Sequence, residues 1–436
     1  MRVIYTLLTW LLAPIAFAVV LWRGLRERTY WLGLRERFGG GASIANAPSI
    51  WLHAVSLGEM SAAAPLIRAL HERHPMAPLV LTTATPAGRA RATALFGEYA
   101  DVRYLPYDTP GSVRRFLGRI QPGVCIIMET ELWPNLLRAC AGRALPVTIA
   151  NARLTSRSVS RYRRAAGLFR GAFTQHVLIA AQSADDAARF VEIGAAQTQV
   201  TVVGNVKFDV SVDAYSTAQG HRLRQVLGPE RFAWVAGSTH GGEDEAVLSA
   251  HAHLLSKNSG ALLLLAPRHR DRFEAVASLL KSSGMRYRRR SDLNLGADAL
   301  ADVQALAECD VLLVDTLGEL ASMYAAADMA FVGGSLVPVG GHNLLEPAAL
   351  GLPVLCGPYQ ANNKDIAAML LGSGAARQVL NAEQLGEAVV ALAADTAERK
   401  RMAEAGLKVV AANRGSVAAL LAIIEPLWAR GLAGCP

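Results

Sequence analysis

Aromatic residues are scarce in this chain: Phe, Trp and Tyr make up 6% of 436 residues. No basic stripe with interleaved aromatics occurs. Single-stranded nucleic acid, which stacks its bases on rings along a cationic groove, is therefore an unsuitable partner. Cysteine is also rare. Cys125, Cys140, Cys309, Cys356 and Cys435 form no C-x-x-C pair and are odd in number, as expected of reduced thiols in a cytosolic body. Neither they nor the histidines fall at zinc-ligand spacing. No G-x-G-x-x-G follows the first apolar run, which argues against a dehydrogenase, and the absence of G-x-x-x-x-G-K-[ST] argues against a P-loop ATPase. No D-x-D occurs, the carboxylate pair that often holds a metal on a nucleotide sugar. The sequence thus predicts a metal-free mechanism with no cofactor.

What is present is apolar and basic. Hydrophobic residues reach 52% and the formal net charge is +8, with a pI near 9.4. Such a balance suits an anionic partner: a phosphorylated substrate or acidic lipid. Residues 3–22, "VIYTLLTWLLAPIAFAVVLW", carry no charge. As a helix they would rise about 30 Å, one hydrocarbon thickness. A cleaved signal peptide competes with this reading, because "AFA" at 16–18 resembles a cleavage site. The apolar run continues past it, however, and Arg23, Arg26, Arg28, Arg35 and Arg37 follow. That cluster would hold the C-terminal side in the cytoplasm. We expect a membrane anchor and interfacial segment over 1–28, spanning the bilayer or lying in its surface.

From residue 49 short apolar runs alternate with helical patterns. The first series is 50–55, 78–83, 124–129, 146–151 and 177–182. A reset near 202–215 precedes a second: 232–237, 261–267, 310–315, 329–334 and 352–357. Near-continuous apolar strands predict parallel sheets covered on both faces. The expected organisation is two doubly wound α/β domains, 29–205 and 216–436, joined by a linker at 206–215. Ligands bind such sheets beyond the carboxyl ends of the strands, so the informative residues should follow the runs.

In "VSLGEM", Glu59 lies three residues after Ser56. This is either a capping box or a general base that the helix dipole keeps ionised. In "IIMETELWPN", Glu129 and Glu131 fall on one side if the strand continues; they serve acid/base work or cap the helix near Pro134. "LLLLAPRHRDRF" sets Arg268 after a strand, where a guanidinium can grip phosphate; His269 stands beside it. Lys207 in "GNVKFD" is a cleft-lining cation or a solvated one. In "GGSLVPVGGHNLLEPA", residues 333–348, Gly340, Gly341 and His342 precede Asn343 and Glu346. Glycine permits close backbone approach, and a helix start can seat a phosphate while Glu346 accepts from ribose hydroxyls. The competing reading is again a cap, from Asn343 to Glu346. The basic run 151–170, with Arg153, Arg157, Arg161, Arg163, Arg164 and Arg170, is a solvated helix face or a contact for phosphorylated lipid.

Taken together, "HAVSLGE", "PYDTPGSVRRFL", "METELWPN", "NARLTSRS", "GNVKFD", "GSTHGGE", "APRHRDRF", "DTLGELASMY" and "FVGGSLVPVGGHNLLEPAALGLPVLCGP" resemble the 3-deoxy-D-manno-octulosonic acid (Kdo) transferases of lipopolysaccharide synthesis. The resemblance implies a GT-B glycosyltransferase fold, with two Rossmann-like domains facing a cleft. It implies transfer of Kdo from CMP-Kdo to a 6'-hydroxyl of lipid IVA, the lipid A precursor, with inversion, on the cytoplasmic face of the bacterial inner membrane. It makes Glu59 the base and Glu129 a second catalytic candidate. It assigns CMP contacts to Pro267 and Arg268, to Leu317, Gly318 and Glu319, and to Asn343, Leu344, Leu345 and Glu346. Lys207, Gly340, Gly341 and His342 are further phosphate or sugar contacts. The alternatives are a membrane-associated GT-B enzyme or epimerase using a UDP-sugar, and an inert lipid-binding tether.

Overall fold

The computed structural model describes residues 2–164, 166–210, 214–293 and 306–433, without the side chains of Arg157, Arg164, Ala166, Arg170 and Ala433. Two compact units are present: Met1–Asp209 with Asn413–Pro436, and Val210–Ala412.

The first unit holds a seven-stranded parallel sheet. Its strands are β1 (Ser49–His53), β2 (Leu79–Thr83), β3 (Ala100–Tyr104), β4 (Pro122–Met128), β5 (Val147–Ala152), β6 (Val177–Ala181) and β7 (Val200–Val202). Their order is β3-β2-β1-β4-β5-β6-β7. Successive side chains point to opposite faces, and both faces are covered. Trp51, Val80, Cys125 and Ile127 enter one apolar core, whereas Ile50, Leu52, Leu79, Leu81, Val124 and Ile126 enter the other. The second unit repeats the plan with β8 (Ala233–Thr239), β9 (Leu262–Pro267), β10 (Tyr287–Arg289), β11 (Val311–Leu313), β12 (Met329–Val332), β13 (Val354–Cys356) and β14 (Ala376–Gln378). The order there is β10-β11-β9-β8-β12-β13-β14, again parallel.

All ten predicted strands are present. The four that the apolar pattern did not predict are β3, β7, β10 and β14, the two edges of each sheet. Edge strands are covered less completely and tolerate polar residues; β7 and β10 have no fully buried position, unlike β1 and β8.

Residues 413–436 do not stay with the second unit as expected. The helix Ser416–Ala433 returns to the first, where Leu420, Leu421, Ile424, Leu427 and Trp428 join the core beneath β1, β2 and β4. Asp209 fixes its start by accepting from Gly415 N at 2.6 Å and Val417 N at 2.5 Å. An apolar face of this size must be buried, and its periodicity does not say against which sheet. The expected linker 206–215 is also partly structured: Val206 and Phe208 are buried in the first unit, and 211–213 lie outside the described residues. So does Cys435; the other four cysteines are free and buried.

The helix Arg2–Arg26 docks on the first unit by a narrow stripe. Tyr5, Thr6, Thr9, Ala13, Phe17, Val20 and Gly24 are its covered or half-covered positions, recurring at the 3.6-residue period. Phe17 packs edge-on against Phe38. Most of the remaining surface is bare and apolar, including Ile4, Leu7, Leu8, Leu11, Ile15, Val19 and Trp22. Among the described residues this helix and the continuous segment Thr396–Leu432 are long and apolar enough to cross a membrane, but the latter contains the core helix described above.

Candidate active site

In each unit the strand order reverses once, between β1 and β4 and between β8 and β12. The crevice at such a reversal, outside the carboxyl ends, is where doubly wound sheets bind ligands.

In the first unit β1 ends at His53 and the helix Leu57–Arg73 begins four residues after it. Ser56 is the N-cap: its Oγ accepts from Glu59 N at 3.3 Å, while Glu59 Oε2 accepts from Val55 N at 2.9 Å. Only the Ser56 half of a capping box is therefore made, because the Glu59 side chain accepts from the residue before the N-cap and not from Ser56 N. Val55 N and the Ser56 hydroxyl, which donates to Glu59 Oε1 at 3.1 Å, hold the Glu59 carboxylate at the reversal point. Contrary to expectation, the helix start does not hold this group in the ordinary carboxylate range. Burial pushes it up to about 7, Val55 N and the Ser56 hydroxyl oppose that, and Glu129 and Glu131 add to it. A base poised there suits proton abstraction near neutrality.

Glu129 follows β4 across the reversal. The strand does not continue to Glu131: Glu129 turns into the left-handed region at φ 57, a conformation that costs a non-glycine residue about 1–2 kcal/mol. Such strain is characteristic of functional loops. Glu131 accepts from the Trp133 indole at 2.8 Å, and its carboxyl is pushed up by burial and by Glu129. Neither Glu caps the helix Pro134–Ala141. Asp108 does so, accepting from Asn135 N at 3.0 Å and Leu136 N at 2.8 Å.

In the second unit the reversal point is filled from within. Glu243, fully buried, accepts from His240 N at 2.9 Å, Gly334 N at 2.7 Å, Ser335 N at 2.9 Å and Leu336 N at 2.8 Å. Three successive N–H groups after β12 would otherwise make an anion nest. The first glycine pair thus receives the protein's own carboxylate, not a phosphate. Gly334 has φ 66, and a Cβ there would lie 2.9 Å from the His342 ring. The His342 and His240 rings stack with Nε2 atoms 2.8 Å apart. Burial, then Arg268, His240 and His269, hold His342 down at about 4, so one neutral ring donates to the other.

The remaining predicted donor residues separate into free and occupied groups. Pro267 ends β9, and Arg268 beside it is exposed and unpaired among the described residues. Its neighbour Arg272 is engaged by Asp244 and by Thr239 O. Leu317 and Gly318 are exposed. Glu319 is occupied, accepting from Arg290 at 2.8 Å and from the Thr316 hydroxyl. Asn343 Oδ1 accepts from Leu345 N at 3.1 Å, and Asn343 Nδ2 donates to Glu346 Oε1 at 3.1 Å. That is not the reciprocal cap expected from the spacing, and the helix it opens, Leu345–Ala349, is a single short turn. Leu344 and Leu345 are fully buried, so neither presents free surface to a ligand, and Leu345 N is already bonded to Asn343. Gly340 and Gly341 have φ 106 and 76 and are crowded by Asn362 and Gln360; here too the glycines admit protein atoms. Lys207 lies in the first unit and is half-buried. Glu243 was missed, although it follows β8 as Glu59 follows β1, and that correspondence was visible in the sequence. Among the described residues no group of three or more His, Cys, Asp or Glu is placed to hold a metal.

A family model described as 3-deoxy-D-manno-octulosonic-acid transferase (kdotransferase) matches residues 32–210. The 3-deoxy-D-manno-octulosonic acid transferase of Haemophilus influenzae is 38% identical over 434 residues, 99% of this chain and 100% of its own. The C-terminal CMP-Kdo binding domain of WaaA from Acinetobacter baumannii is matched at 29% identity over 45% of this chain and 99% of that one, with TM-score 0.41. The UDP-GlcNAc 2-epimerase of Neisseria meningitidis bound to UDP-GlcNAc is matched over 87% of this chain and 100% of that one, at 13% identity and TM-score 0.54. The last likeness speaks for the fold alone, the GT-B class with two Rossmann-like domains. With near-complete coverage by a relative at 38% identity, the chain belongs to the 3-deoxy-D-manno-octulosonic acid transferase family of glycosyltransferases.

Proposed function

We propose that this protein transfers Kdo from CMP-Kdo to a hydroxyl of lipid IVA with inversion, and that Glu59 is the general base. The observation that carries the mechanism is the Glu59 carboxylate at the β1/β4 reversal, with a pKa near 7 beside Glu129. In the reaction Glu59 takes the proton of the acceptor 6'-hydroxyl. The oxygen attacks the ketosidic carbon, the bond from that carbon to the CMP oxygen breaks, and CMP leaves with the electron pair. Attack opposite the leaving group inverts the centre, and no covalent nucleophile is required. Burial sets most of the basicity of Glu59, and the charge of Glu129 adds to it.

On the donor side the unpaired Arg268 guanidinium neutralises charge on the departing phosphate, and the linked Asn343–Glu346 pair meets the ribose. Pro267 and the main chain of Leu317 and Gly318 shape the CMP seat, which the buried Leu344 and Leu345 support from within, with Glu319 held by Arg290. Lys207, Gly340, Gly341 and His342 make secondary contacts. This reading assigns no role to a resident metal or cofactor.

The docked helix Arg2–Arg26 is read as the membrane attachment. Because its covered stripe runs from Tyr5 to Gly24, it enters lipid sideways, with its bare apolar face in the interface of the inner membrane and the catalytic units on the cytoplasmic side.

The test is incubation of the purified protein with CMP-Kdo and lipid IVA, with the product identified by mass spectrometry. Transfer that CMP inhibits is expected. No Kdo on lipid IVA, or inhibition by UDP in place of CMP, would overturn the reading.

A further inference from the structure

Arg37 belongs by sequence to the basic cluster after the apolar segment, where a solvated side chain is expected. The structure buries it, at 5% exposure. No carboxylate pairs with it among the described residues, and its Nε has no hydrogen-bond partner. Its guanidinium stacks 4.0 Å over the Tyr104 ring, and Nη1 makes one long contact, 3.4 Å to Ala84 O. Arg89 approaches the same ring but is neutralised by Glu36, at 2.6 and 3.1 Å. This corner therefore carries one uncompensated positive charge.

A guanidinium stays charged in any protein environment, and burying it without a counter-ion is costly. A second orphan lies beside it. The Tyr107 hydroxyl is buried without a partner, and the Arg37 charge acts on it. Tyr107 N donates to Arg37 O at 2.8 Å, which ties the two residues together.

Position says what the pair is for. Arg37 Nη1 reaches Ala84 O; Ala84 N donates to Val55 O at 3.1 Å; Val55 N donates to Glu59 at 2.9 Å. Three contacts in series separate the free cation from the proposed base. On the other side Tyr107 packs against Phe38, and Phe38 against Phe17 of the docked N-terminal helix. The site thus stands between the lipid-facing helix and the reacting carboxylate.

We propose that Arg37 and Tyr107 form a subsite for a phosphate monoester on the headgroup of the acceptor. The proposal rests on the acceptor reading above, in which the substrate is a phosphorylated glycolipid. The fork of Arg37 supplies the charge and paired donors, the Tyr107 hydroxyl supplies a third, and the bound phosphate presents the sugar hydroxyl to Glu59.

The experiment compares lipid IVA with its phosphatase-treated form, using full-length enzyme in phospholipid-free detergent. Arg37→Gln should raise KM for lipid IVA about tenfold, the loss expected for a charge-assisted hydrogen bond. It should leave KM for CMP-Kdo and for the dephosphorylated acceptor in place. Tyr107→Phe, which keeps the ring packing, should act in the same direction by a smaller factor. Equal losses on both acceptors, or a lowered thermal midpoint with unchanged constants, would make Arg37 a structural cation and overturn the proposal. So would weaker binding of Arg37→Gln to phosphatidylglycerol vesicles with discrimination between acceptors intact, because the ligand would then be a phospholipid. Calorimetry with the soluble, deacylated phosphorylated disaccharide separates this proposal from the functional one. If the wild type moves no Kdo, the functional reading fails; binding that Arg37→Gln abolishes would still uphold the subsite, and no binding would refute it.

Discussion

The Tyr5 hydroxyl donates to Asp108 Oδ2 at 2.8 Å, joining the N-terminal helix to a loop 103 residues away. Thr6 donates to Asn135 Oδ1 at 3.0 Å, and Asn135 Nδ2 donates to Asp108 O at 2.7 Å. Because Asp108 caps the helix Pro134–Ala141, this helix is coupled to the loop that carries Glu129 and Glu131. Burial pushes the Asp108 carboxyl up to about 6, while Asn135 N, the Tyr5 hydroxyl and Leu136 N pull it down.

Tyr5→Phe should therefore destabilise the protein in a pH-dependent way. The folded-state value lies above the ordinary one, so ionising Asp108 costs stability as pH rises through about 6, and Tyr5 offsets part of that cost. Above that pH the loss should approach about 2 kcal/mol, the value of a hydrogen bond to a charged group. Below it the loss should shrink, because a protonated Asp108 needs the donor less. Thermal midpoints of both proteins in detergent on either side of that pH check this; a pH-independent difference would contradict it.

The rate of transfer should fall as pH drops below about 7, following protonation of Glu59, by about tenfold per pH unit for a single base. Glu59→Gln should lower turnover by roughly 100- to 10,000-fold with the fold and CMP affinity kept. Gln retains an oxygen to accept from Val55 N, and at high pH the variant is spared the cost of burying a charge. In Glu129→Gln a neighbouring negative charge is lost, so the acid limb should move to lower pH. The pH profile of kcat reads both variants; a limb unmoved in Glu129→Gln would separate the two carboxylates.

The sequence disclosed the two sheets well because their inner strands are apolar on both faces. The edges escaped for the opposite reason, as Tyr287–Arg289 shows. Local pattern carries no information about partners distant in sequence, so the return of Leu420 and Trp428 to the first unit could not be read. At the site, spacing offered a choice for Glu59 between cap and base that the geometry does not impose. The glycine pairs signalled close approach correctly, but the group at the first pair is a Glu243 carboxylate that only the β8/β12 reversal brings near, and at the second pair the side chains of Asn362 and Gln360. Arg37 looked like its surface neighbours, since burial of a single side chain on one turn of 3₁₀ helix has no periodic signature.

Glu243→Gln should weaken the second unit. Each carboxylate oxygen accepts two main-chain N–H bonds, and an amide nitrogen accepts none. Two buried donors lose their partners, at about 1–3 kcal/mol each. A lowered thermal midpoint together with weaker CMP binding is expected, whereas a lowered midpoint with unchanged nucleotide affinity would show that the 334–336 turn does not shape the donor seat.

Glu346→Ala should act on the ligand rather than on the fold. The carboxylate is half-buried on a single helical turn, and its bond to Asn343 Nδ2 at 3.1 Å is partly open to solvent. Its loss should cost stability no more than about 1 kcal/mol. A carboxylate that accepts from two ribose hydroxyls contributes more than that to binding, so calorimetry with CMP should show Kd rising by about tenfold or more. Asn343→Ala separates the roles. If Asn343 merely aims the carboxylate, its removal should weaken CMP binding less than Glu346→Ala, and the double variant should be no weaker than Glu346→Ala alone. Additive losses would mean that both side chains meet the nucleotide independently, and an unchanged Kd in Glu346→Ala would leave that carboxylate with a structural role only.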